Sequence, residues 1–569
     1  MHPLDFRTTN SLWASVMVET LVREGVTHAI ISPGSRSTPL TLALATHPQV
    51  EALPILDERS AAFFALGLAR RSHWPVVLVC TSGSAGANYF PAVIEAAESG
   101  TPLLVLTADR PPEMRACASG QTINQHHLFG DFAVWFHELA VPEASVARLA
   151  YARQTVRQAL RHAARGPVQL NVPFRDPLVP QADGSTAGLE TELDDAFFVQ
   201  PEVVVTRSAG VRWAHRPTTA RGLIIAGPAL PKDPGAYADH VLAFAEATGW
   251  PILADVLSPL RHYATGAGTV VANYDVILRD PATARDLTPR YVVGLGAWPT
   301  SKVLRAWLEQ SQAETLLVTD QPGSRDALHG RTREIEAPVE ALAVEGPAIP
   351  DPTYRTAWIA AAQRVGPALL GDETPLFEGD VTSVLADSLP DGAIVCVANS
   401  MPVRDLEYFW PANDRKRRVF FSRGANGIDG TLSTALGVAQ GGEPVVLLTG
   451  DLALLHDTNG FLAAAQLRGS LTVVLINNAG GGIFEHLPVA QYDPPFEAFF
   501  ATPQRVEFAR LCAAYGIPHT LITYRAELAE CLAGVPPAGV RVLEVPTDRK
   551  RDVAIRKARL AKAAKAGRG

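Results

Sequence analysis

Hydrophobic positions along the chain fall into two repeating patterns. From Asn10, a residue type that caps helices, the stretch SLWASVMVETLVREG places Leu12, Val16, Leu21 and Val22 near helical spacing and stops at Gly25. Short unbroken apolar runs then recur between helical stretches: THAIIS, ALPIL, PVVLVC and PLLVLT. A strand without a polar face is covered on both sides, and such strands alternating with helices build parallel sheets. Residues 1–180 are therefore predicted to form one α/β domain. Residues 181 to about 220 turn polar, acidic and glycine-bearing, the composition of an interdomain linker. The runs RGLIIAGP, WPILADV, YVVGLG and ETLLVTD predict a second α/β domain over 200–345. Beyond the Pro- and Ala-rich segment APVEALAVEGPAIPDPTY, the runs GAIVCVANS, RVFFSRG, EPVVLLTGD, LTVVLINN and VRVLEVP predict a third over 353–569. The expected fold class is α/β, with three doubly wound parallel-sheet domains. From Arg549 onward, nine Lys or Arg and one acid, Asp552, in an Ala-rich stretch predict a solvated C-terminal helix.

Composition narrows the function classes. The 569 residues are 47% hydrophobic and 19% charged, which excludes wholesale disorder and a disulfide mini-scaffold. A net charge of −8 gives no general electrostatic reason to bind nucleic acid or a membrane surface, so the expected partners are small molecules. Cys80, Cys117, Cys396, Cys512 and Cys531 are widely spaced and form no C-x-x-C pair, which argues against a zinc or redox motif and for a reducing, cytoplasmic setting. No apolar run approaches the roughly 18 residues that span a bilayer, so no integral membrane association is expected. The start MHPLDFRTTN has no apolar signal core.

In open α/β sheets, ligands sit outside the carboxyl ends of the strands, so the turns just after the apolar runs carry the information. Those turns include SPGSRSTP, DERSA, TSGSAGAN, TADRPPE, ANSMPVR, SRGANGIDG, TGDLALLHD and INNAGGGIF, rich in Gly, Ser, Arg and acids. Asp451 and Asn478 each follow a strand and lie 27 positions apart, one strand-helix-strand repeat, which brings them side by side. An Asp carboxylate, an Asn amide oxygen and a backbone carbonyl from the run Gly480-Gly481-Gly482 make an all-oxygen set suited to Mg²⁺ and a diphosphate. Taken alone, GD and NN serve equally well as turn residues.

The pair resembles the GDG…NN signature of thiamine-diphosphate enzymes, with Leu452 in place of the second Gly. Together, ISPGSRSTPL, DERSAAFFALG, LTADRPPE, SRGANGIDG, GDLALLHDTN and NNAGGGIF resemble one family among them, the 2-succinyl-5-enolpyruvyl-6-hydroxy-3-cyclohexene-1-carboxylate synthases, over nearly the whole chain. The resemblance implies a transferase of menaquinone biosynthesis that decarboxylates 2-oxoglutarate and adds the succinyl carbon nucleophile to isochorismate. It implies a thiamine-diphosphate-enzyme architecture of pyrimidine-binding, central and diphosphate-binding domains. It also implies thiamine diphosphate with Mg²⁺ or Mn²⁺ as cofactors, and a homodimer or dimer of dimers.

Carried over motif by motif, Glu58 is the catalytic carboxyl beside the cofactor's pyrimidine, expected in a poorly hydrated crevice at the start of AAFFALGLAR. Asp451, Asn478 and Gly480 are the metal set, and Ile428, Ile483 and Phe484 line the cofactor. Ser35, Arg36, Arg110, Gln121 and Lys302 are expected on isochorismate; Asn399, Ser400, Arg404 and Arg423 on the carboxylates derived from 2-oxoglutarate. Both substrates are dicarboxylates, which Arg forks suit. An acetolactate-synthase-like enzyme would share the cofactor residues but has less need of four arginines. A non-enzymatic nucleotide-binding protein would not need Glu58. A nicotinamide-dependent dehydrogenase would need a complete G-x-G-x-x-G turn, and LIIAGPAL does not complete one.

Overall fold

The computed structural model describes residues 4–199, 211–212, 219, 221–264, 269–321, 324–343, 352–371 and 375–568. The first sheet holds β1 (His28–Ile31), β2 (Glu51–Pro54), β3 (Val76–Cys80), β4 (Leu103–Asp109), β5 (Trp135–Glu138) and β6 (Val168–Pro173), parallel in the order β2-β1-β3-β4-β6-β5. After the short β7 (Val211–Arg212) comes a second parallel sheet. It holds β8 (Gly222–Ala226), β9 (Ile252–Ala254), β10 (Val270–Val271), β11 (Tyr291–Leu295), β12 (Glu314–Thr319) and β13 (Arg331–Glu336), in the order β10-β9-β8-β11-β12-β13. β14 (Leu342–Ala343) pairs with β7. The third sheet holds β15 (Ile394–Val397), β16 (Arg418–Phe421), β17 (Pro444–Gly450), β18 (Ser470–Asn477), β19 (His519–Leu521) and β20 (Gly539–Pro546), in the order β16-β15-β17-β18-β20-β19.

In each sheet the chain steps outward from one strand, returns and continues on the other side, so the strand order reverses between β1 and β3, between β8 and β11, and between β15 and β17. The crevice outside such a reversal is where open α/β sheets bind ligands. The expected α/β class with three parallel sheets is observed. The apolar runs did not mark β5, β6, β10, β13 and β19; all but β6 lie at sheet edges, β13, for example, reading RTREIE and being mostly exposed, while β6 is an interior strand, VQLNVP, that carries buried Gln169 and Asn171. An edge strand is not sandwiched and needs no continuous apolar run.

By compactness the chain divides into two units. One comprises Met1–Val205, Ser422–Glu443 and Ala453–Leu471, the other Thr206–Phe421, Pro444–Leu452 and Thr472–Gly569.

In the first unit, the helix Thr9–Arg23 buries Leu12, Trp13, Val16 and Met17 in one core with Leu104, Leu106, Val168 and Leu170 of the sheet. Its cap is Thr8 rather than Asn10: the Thr8 hydroxyl accepts from the Ser11 amide at 3.1 Å and the Ser11 hydroxyl from the Thr8 amide at 3.0 Å. Asn10 instead sits inside the helix and donates to the carbonyls of Arg175 and Pro177. Residues 181–199 are not a free linker. Leu193 and Phe198 enter the core, the Ser185 hydroxyl accepts from the Thr9 amide, and Arg157 donates to the Phe198 carbonyl, so this half of the polar stretch folds back on the unit. Residues 200–210, 213–218 and 220 of the expected linker lie outside the described residues.

The helices Glu58–Ser72 and Thr431–Ala439 of this unit pack almost backbone to backbone. A Cβ at Gly67 would lie 2.0 Å from the Thr434 carbonyl oxygen, and one at Gly437 would lie 2.0 Å from that of Phe64. Buried Asp457 ties the pair together, accepting from the Ser433 amide at 2.6 Å, the Ser433 hydroxyl at 2.8 Å and the Ser60 hydroxyl at 3.2 Å.

In the second unit, the helix Arg549–Ala566 is not solvated along its length. Asp552, Arg556, Arg559, Leu560, Ala563 and Ala564 are buried, because carboxylates on other elements receive the guanidinium groups.

Candidate active site

The third sheet ends in the oxygen-rich group. β17 runs out at Gly450, and Asp451 opens the next helix; β18 runs out at Asn477, followed by Asn478 and by Gly480 at φ +130°. The two turns meet: an Asp451 carboxylate oxygen accepts from the Gly480 amide at 2.7 Å, and the other accepts from the Leu452 amide at 2.7 Å. A side chain at Gly480 would strike the Ala501 carbonyl at 2.3 Å, so the close turn requires glycine. Burial pushes the Asp451 carboxyl up to about 6, the nearby Glu378 charge adding and the two amide donors opposing. A bound cation would reverse that shift by favouring the ionised form.

Asn478 is buried, and its Nδ2 donates to Glu378 at 2.6 Å. Its Oδ1 is buried with no hydrogen-bond partner among the described residues, an arrangement that costs free energy unless a ligand satisfies the atom. Among the described residues no three His, Cys, Asp or Glu are grouped to hold a metal. A carboxylate, an unpartnered amide oxygen and a glycine carbonyl are nevertheless the hard-oxygen donors that Mg²⁺ takes, with water and phosphate completing its shell. The donor set therefore fits a divalent cation carrying a diphosphate. Ile483 and Phe484 follow in a short 3₁₀ helix, Gly482–His486, both half-buried, with Phe484 edge-on to Phe500.

Across the strand reversal, the turn after β15 carries Asn399 and Ser400. Asn399 is buried, and Ser400 holds φ +69°, a conformation L residues rarely adopt and one that clusters at functional sites. Arg404, one turn into the helix Met401–Phe409, donates to the Ser400 carbonyl at 2.5 Å, and burial lowers its pKa. The structure thus gathers Asn399, Ser400, Arg404, Asp451, Asn478 and Gly480 at the carboxyl ends of three successive strands.

A second group lies in the first unit at the ends of β2, β1, β3 and β4. Arg36 is buried; its Nη1 donates to the Phe174 carbonyl at 2.9 Å, its amide to Thr81 at 3.2 Å, and its Nε has no partner among the described residues. Burial lowers its pKa, with the charge of Arg110 contributing in the same direction. Arg110 donates to the Ser82 hydroxyl and the Gln121 carbonyl, both at 2.6 Å, and Gln121 Nε2 donates to the Ser82 carbonyl at 3.1 Å. Ser35 is exposed on the same turn. Two guanidinium groups, one with an unpartnered buried nitrogen, suit an anionic ligand.

Glu58 is the first residue of its helix, after the cap Asp57, and lines a cleft of about 360 Å³ with Asn88, whose amide is 3.5 Å from its carboxylate. The expected poorly hydrated crevice is not formed by one chain: Glu58 is half-buried at the edge of an open cleft beside exposed Leu56 and Leu462. Arg423 and Ile428 fall in the segment Ser422–Glu443 of the first unit, and both are half-buried. Gly424 and Ala425 between them donate to the Glu95 carboxylate, which also binds Arg70 at 2.6 Å. Lys302 is an exposed first residue of the helix Lys302–Ser311 in the second unit.

Sequence reasoning missed Glu378 and Arg556. Glu378 accepts from Asn478, and Arg556 donates to Glu378 at 2.6 Å and to both oxygens of Asp405 at 2.7 and 2.8 Å. The available signal was the spacing Asp552, Arg556, Arg559, one face of an otherwise basic helix.

Comparison with known proteins places the chain in a family. Residues 13–130 match the thiamine pyrophosphate enzyme N-terminal TPP binding domain, 198–391 the middle domain, and 403–545 the C-terminal TPP binding domain. The chain is a member of the thiamine-diphosphate enzymes. A 2-succinyl-5-enolpyruvyl-6-hydroxy-3-cyclohexene-1-carboxylate synthase of Synechococcus elongatus is 47% identical, covering 99% of this chain and 97% of its own length. Synthases of the same name from Synechococcus sp. (strain JA-3-3Ab) and Microcystis aeruginosa are 50% and 48% identical, covering 97% and 96% of this chain and 96% and 98% of their own. This chain belongs to the family of those synthases. Benzoylformate decarboxylase from Polynucleobacter necessarius shares the fold, with a TM-score of 0.64 at 17% identity over 94% of this chain and 98% of that one.

Proposed function

We propose that the protein converts 2-oxoglutarate and isochorismate into 2-succinyl-5-enolpyruvyl-6-hydroxy-3-cyclohexene-1-carboxylate and CO₂, a step of menaquinone biosynthesis. The observation that carries the reading is the meeting of Asp451 and Asn478 with an amide oxygen left unpartnered. Asp451, Asn478 Oδ1 and the Gly480 carbonyl would hold Mg²⁺ or Mn²⁺ and, through it, the diphosphate. Thiamine diphosphate, when bound, supplies the electron sink for loss of CO₂. Glu58 would share a proton with the cofactor's pyrimidine nitrogen, and Ile428, Ile483 and Phe484 would line the cofactor cleft.

Arg36 and Arg110, with Ser35, Gln121 and Lys302, bind the isochorismate carboxylates. Asn399, Ser400, Arg404 and Arg423 bind the carboxylates of 2-oxoglutarate. Fixed guanidinium groups orient both substrates without reorganisation during the reaction. The working unit is a homodimer, or a dimer of dimers, in which the first domain of one subunit faces the third domain of its partner. A second copy over the open cleft would exclude water from Glu58 and favour proton sharing. The domains take the boundaries 1–180, 200–345 and 353–569, and the setting is cytoplasmic; no helix of the described residues is long and apolar enough to cross a membrane.

The test is mass spectrometry of products after incubation with thiamine diphosphate, Mg²⁺, 2-oxoglutarate and isochorismate, each omitted in turn. A product equal to both substrates minus CO₂, absent without cofactor, supports the reading. Release of CO₂ without coupling overturns the acceptor, and no turnover by cofactor-loaded protein overturns the donor.

A further inference from the structure

The side chain of Asn478 has two ends that differ in chemistry: an oxygen that can ligate a cation and an NH₂ group that cannot. What lies against one end decides which end faces outward. Here a carboxylate oxygen, an acceptor, lies against Nδ2: Glu378 Oε1 is 2.6 Å away. Space for that orientation comes from Gly482, where a Cβ would stand 2.7 Å from Asn478 Nδ2. The result is the buried, unpartnered Oδ1.

Glu378 is itself fixed from the C-terminal helix. Its other oxygen receives Arg556 Nη2 at 2.6 Å, and its backbone amide donates to Asp552 at 3.0 Å. Arg556 is in turn forked onto Asp405. One helical turn further on, Arg559 forks onto Asp380 of the same helix as Glu378, at 2.6 and 3.1 Å. Two buried ion pairs thus join the same two helices, and of these carboxylates Glu378 is the one that receives Asn478.

We infer that Glu378 is a positioning residue that turns the amide oxygen of Asn478 toward the metal, and that Arg556 of the basic C-terminal helix holds Glu378 in that role. The inference rests on the reading of Asp451 and Asn478 as cation ligands. The Arg559–Asp380 pair is the natural comparison, because it stabilises the same helix contact without reaching the ligand.

The experiment is calorimetric titration of the full-length protein with Mg²⁺ at saturating thiamine diphosphate, with the melting temperature recorded for each variant. In Glu378→Gln the new amide can donate to Asn478 Oδ1 and turn the NH₂ end outward, so the Mg²⁺ requirement rises about 10–100-fold, the usual cost of losing such an outer partner. The double variant Glu378→Gln/Asn478→Asp reverses donor and acceptor at constant net charge and recovers most of that loss. Asp380→Asn lowers the melting temperature and leaves the Mg²⁺ requirement unchanged.

Wild-type Mg²⁺ binding by Glu378→Gln overturns the inference, as does a double variant no better than the single one. If Glu378→Gln does not fold, the double variant alone decides, by binding Mg²⁺ or failing to. Asp451→Asn separates the two levels. If it abolishes Mg²⁺ binding while Glu378→Gln binds normally, the positioning role fails and the metal site stands; if it too binds normally, the metal site fails and the inference with it.

Discussion

The contact between the helices Glu58–Ser72 and Thr431–Ala439 makes a prediction whose sign is unusual. Gly to Ala inside a helix ordinarily stabilises, by about 1 kcal/mol, through lower backbone entropy in the unfolded chain and better helix propensity. At Gly67 the added methyl would lie 2.0 Å from the Thr434 carbonyl oxygen and 2.8 Å from its carbon, both backbone atoms that no rotamer change can move. Relief to ordinary contact, which begins at 3.4 Å, requires the helices to part by more than 1 Å. Parting them also loosens the reciprocal contact of Gly437 on Phe64 and the bonds of Asp457 to Ser60 and Ser433.

Overpacking of this kind costs about 1–3 kcal/mol, and the two strained hydrogen bonds add about 1 each, so Gly67→Ala should lose about 2–4 kcal/mol after the propensity gain. At about 2–4 °C per kcal/mol for a unit of this size, the melting temperature should fall by about 4–16 °C. Gly366, in the helix Thr353–Ala368, is the control: its nearest neighbour is the Asn273 side-chain nitrogen at 3.9 Å, and Gly366→Ala should be neutral or raise the melting temperature. Differential scanning calorimetry of the three cofactor-free proteins measures both. A Gly67→Ala variant that melts at or above the wild type would refute the reasoning, because the backbone contact would then carry no repulsion.

Three further outcomes are expected. Glu58→Gln should lower turnover by about 10²–10⁴-fold while leaving Mg²⁺-dependent cofactor binding intact; near-normal turnover sinks the role assigned to the carboxyl. Arg110→Lys keeps the charge but loses the planar guanidinium, which anchors one nitrogen, Nη1, on Ser82 and Gln121 and can fork onto a carboxylate, and should raise KM for isochorismate about tenfold with KM for 2-oxoglutarate unchanged; an unchanged isochorismate KM removes Arg110 from the acceptor site. Burial pushes the Asp457 carboxyl up to about 6 from an ordinary 3.8. Between those values the folded state binds more protons than the unfolded one, so this group favours folding at low pH and its contribution is lost as pH rises through about 6. Asp457→Asn, measured against wild type by denaturant unfolding, should therefore show a relative stability that improves by on the order of 2 kcal/mol between pH 4 and pH 6; a difference that is flat with pH refutes the shift.

The parts legible in the sequence share a physical property: they follow from local constraint. β1, β3, β4, β8, β11, β17 and β18 are sandwiched strands, so each had to be an apolar run. Asp451 and Asn478 could be paired from chain position because adjacent parallel strands one repeat apart end side by side. The turn of Asn399 and Ser400 and the Arg36–Arg110 group were found by the same rule. Of the strands that escaped, β5, β10, β13 and β19 are edges that no second layer constrains, and β6 breaks its apolar run with buried Gln169 and Asn171. The half-buried state of Glu58 escaped because one chain leaves its cleft open.

The C-terminal helix shows where the rule ends. An Arg in a Lys- and Arg-rich stretch reads as solvated, since the stretch offers one acid, Asp552, to nine cations. Arg556 is buried because Asp405 and Glu378 stand 151 and 178 positions earlier, and Arg559 because Asp380 stands 179 earlier. A buried guanidinium is tolerable only when such partners are already placed, so its burial is a property of the assembled fold and not of the segment. The groups that meet the ligands sit at strand ends and are written locally. The groups that orient them, Glu378 and Arg556, are written in pairs far apart, and that separation is what lets a helix at the end of the chain take part in a site formed by strands before it.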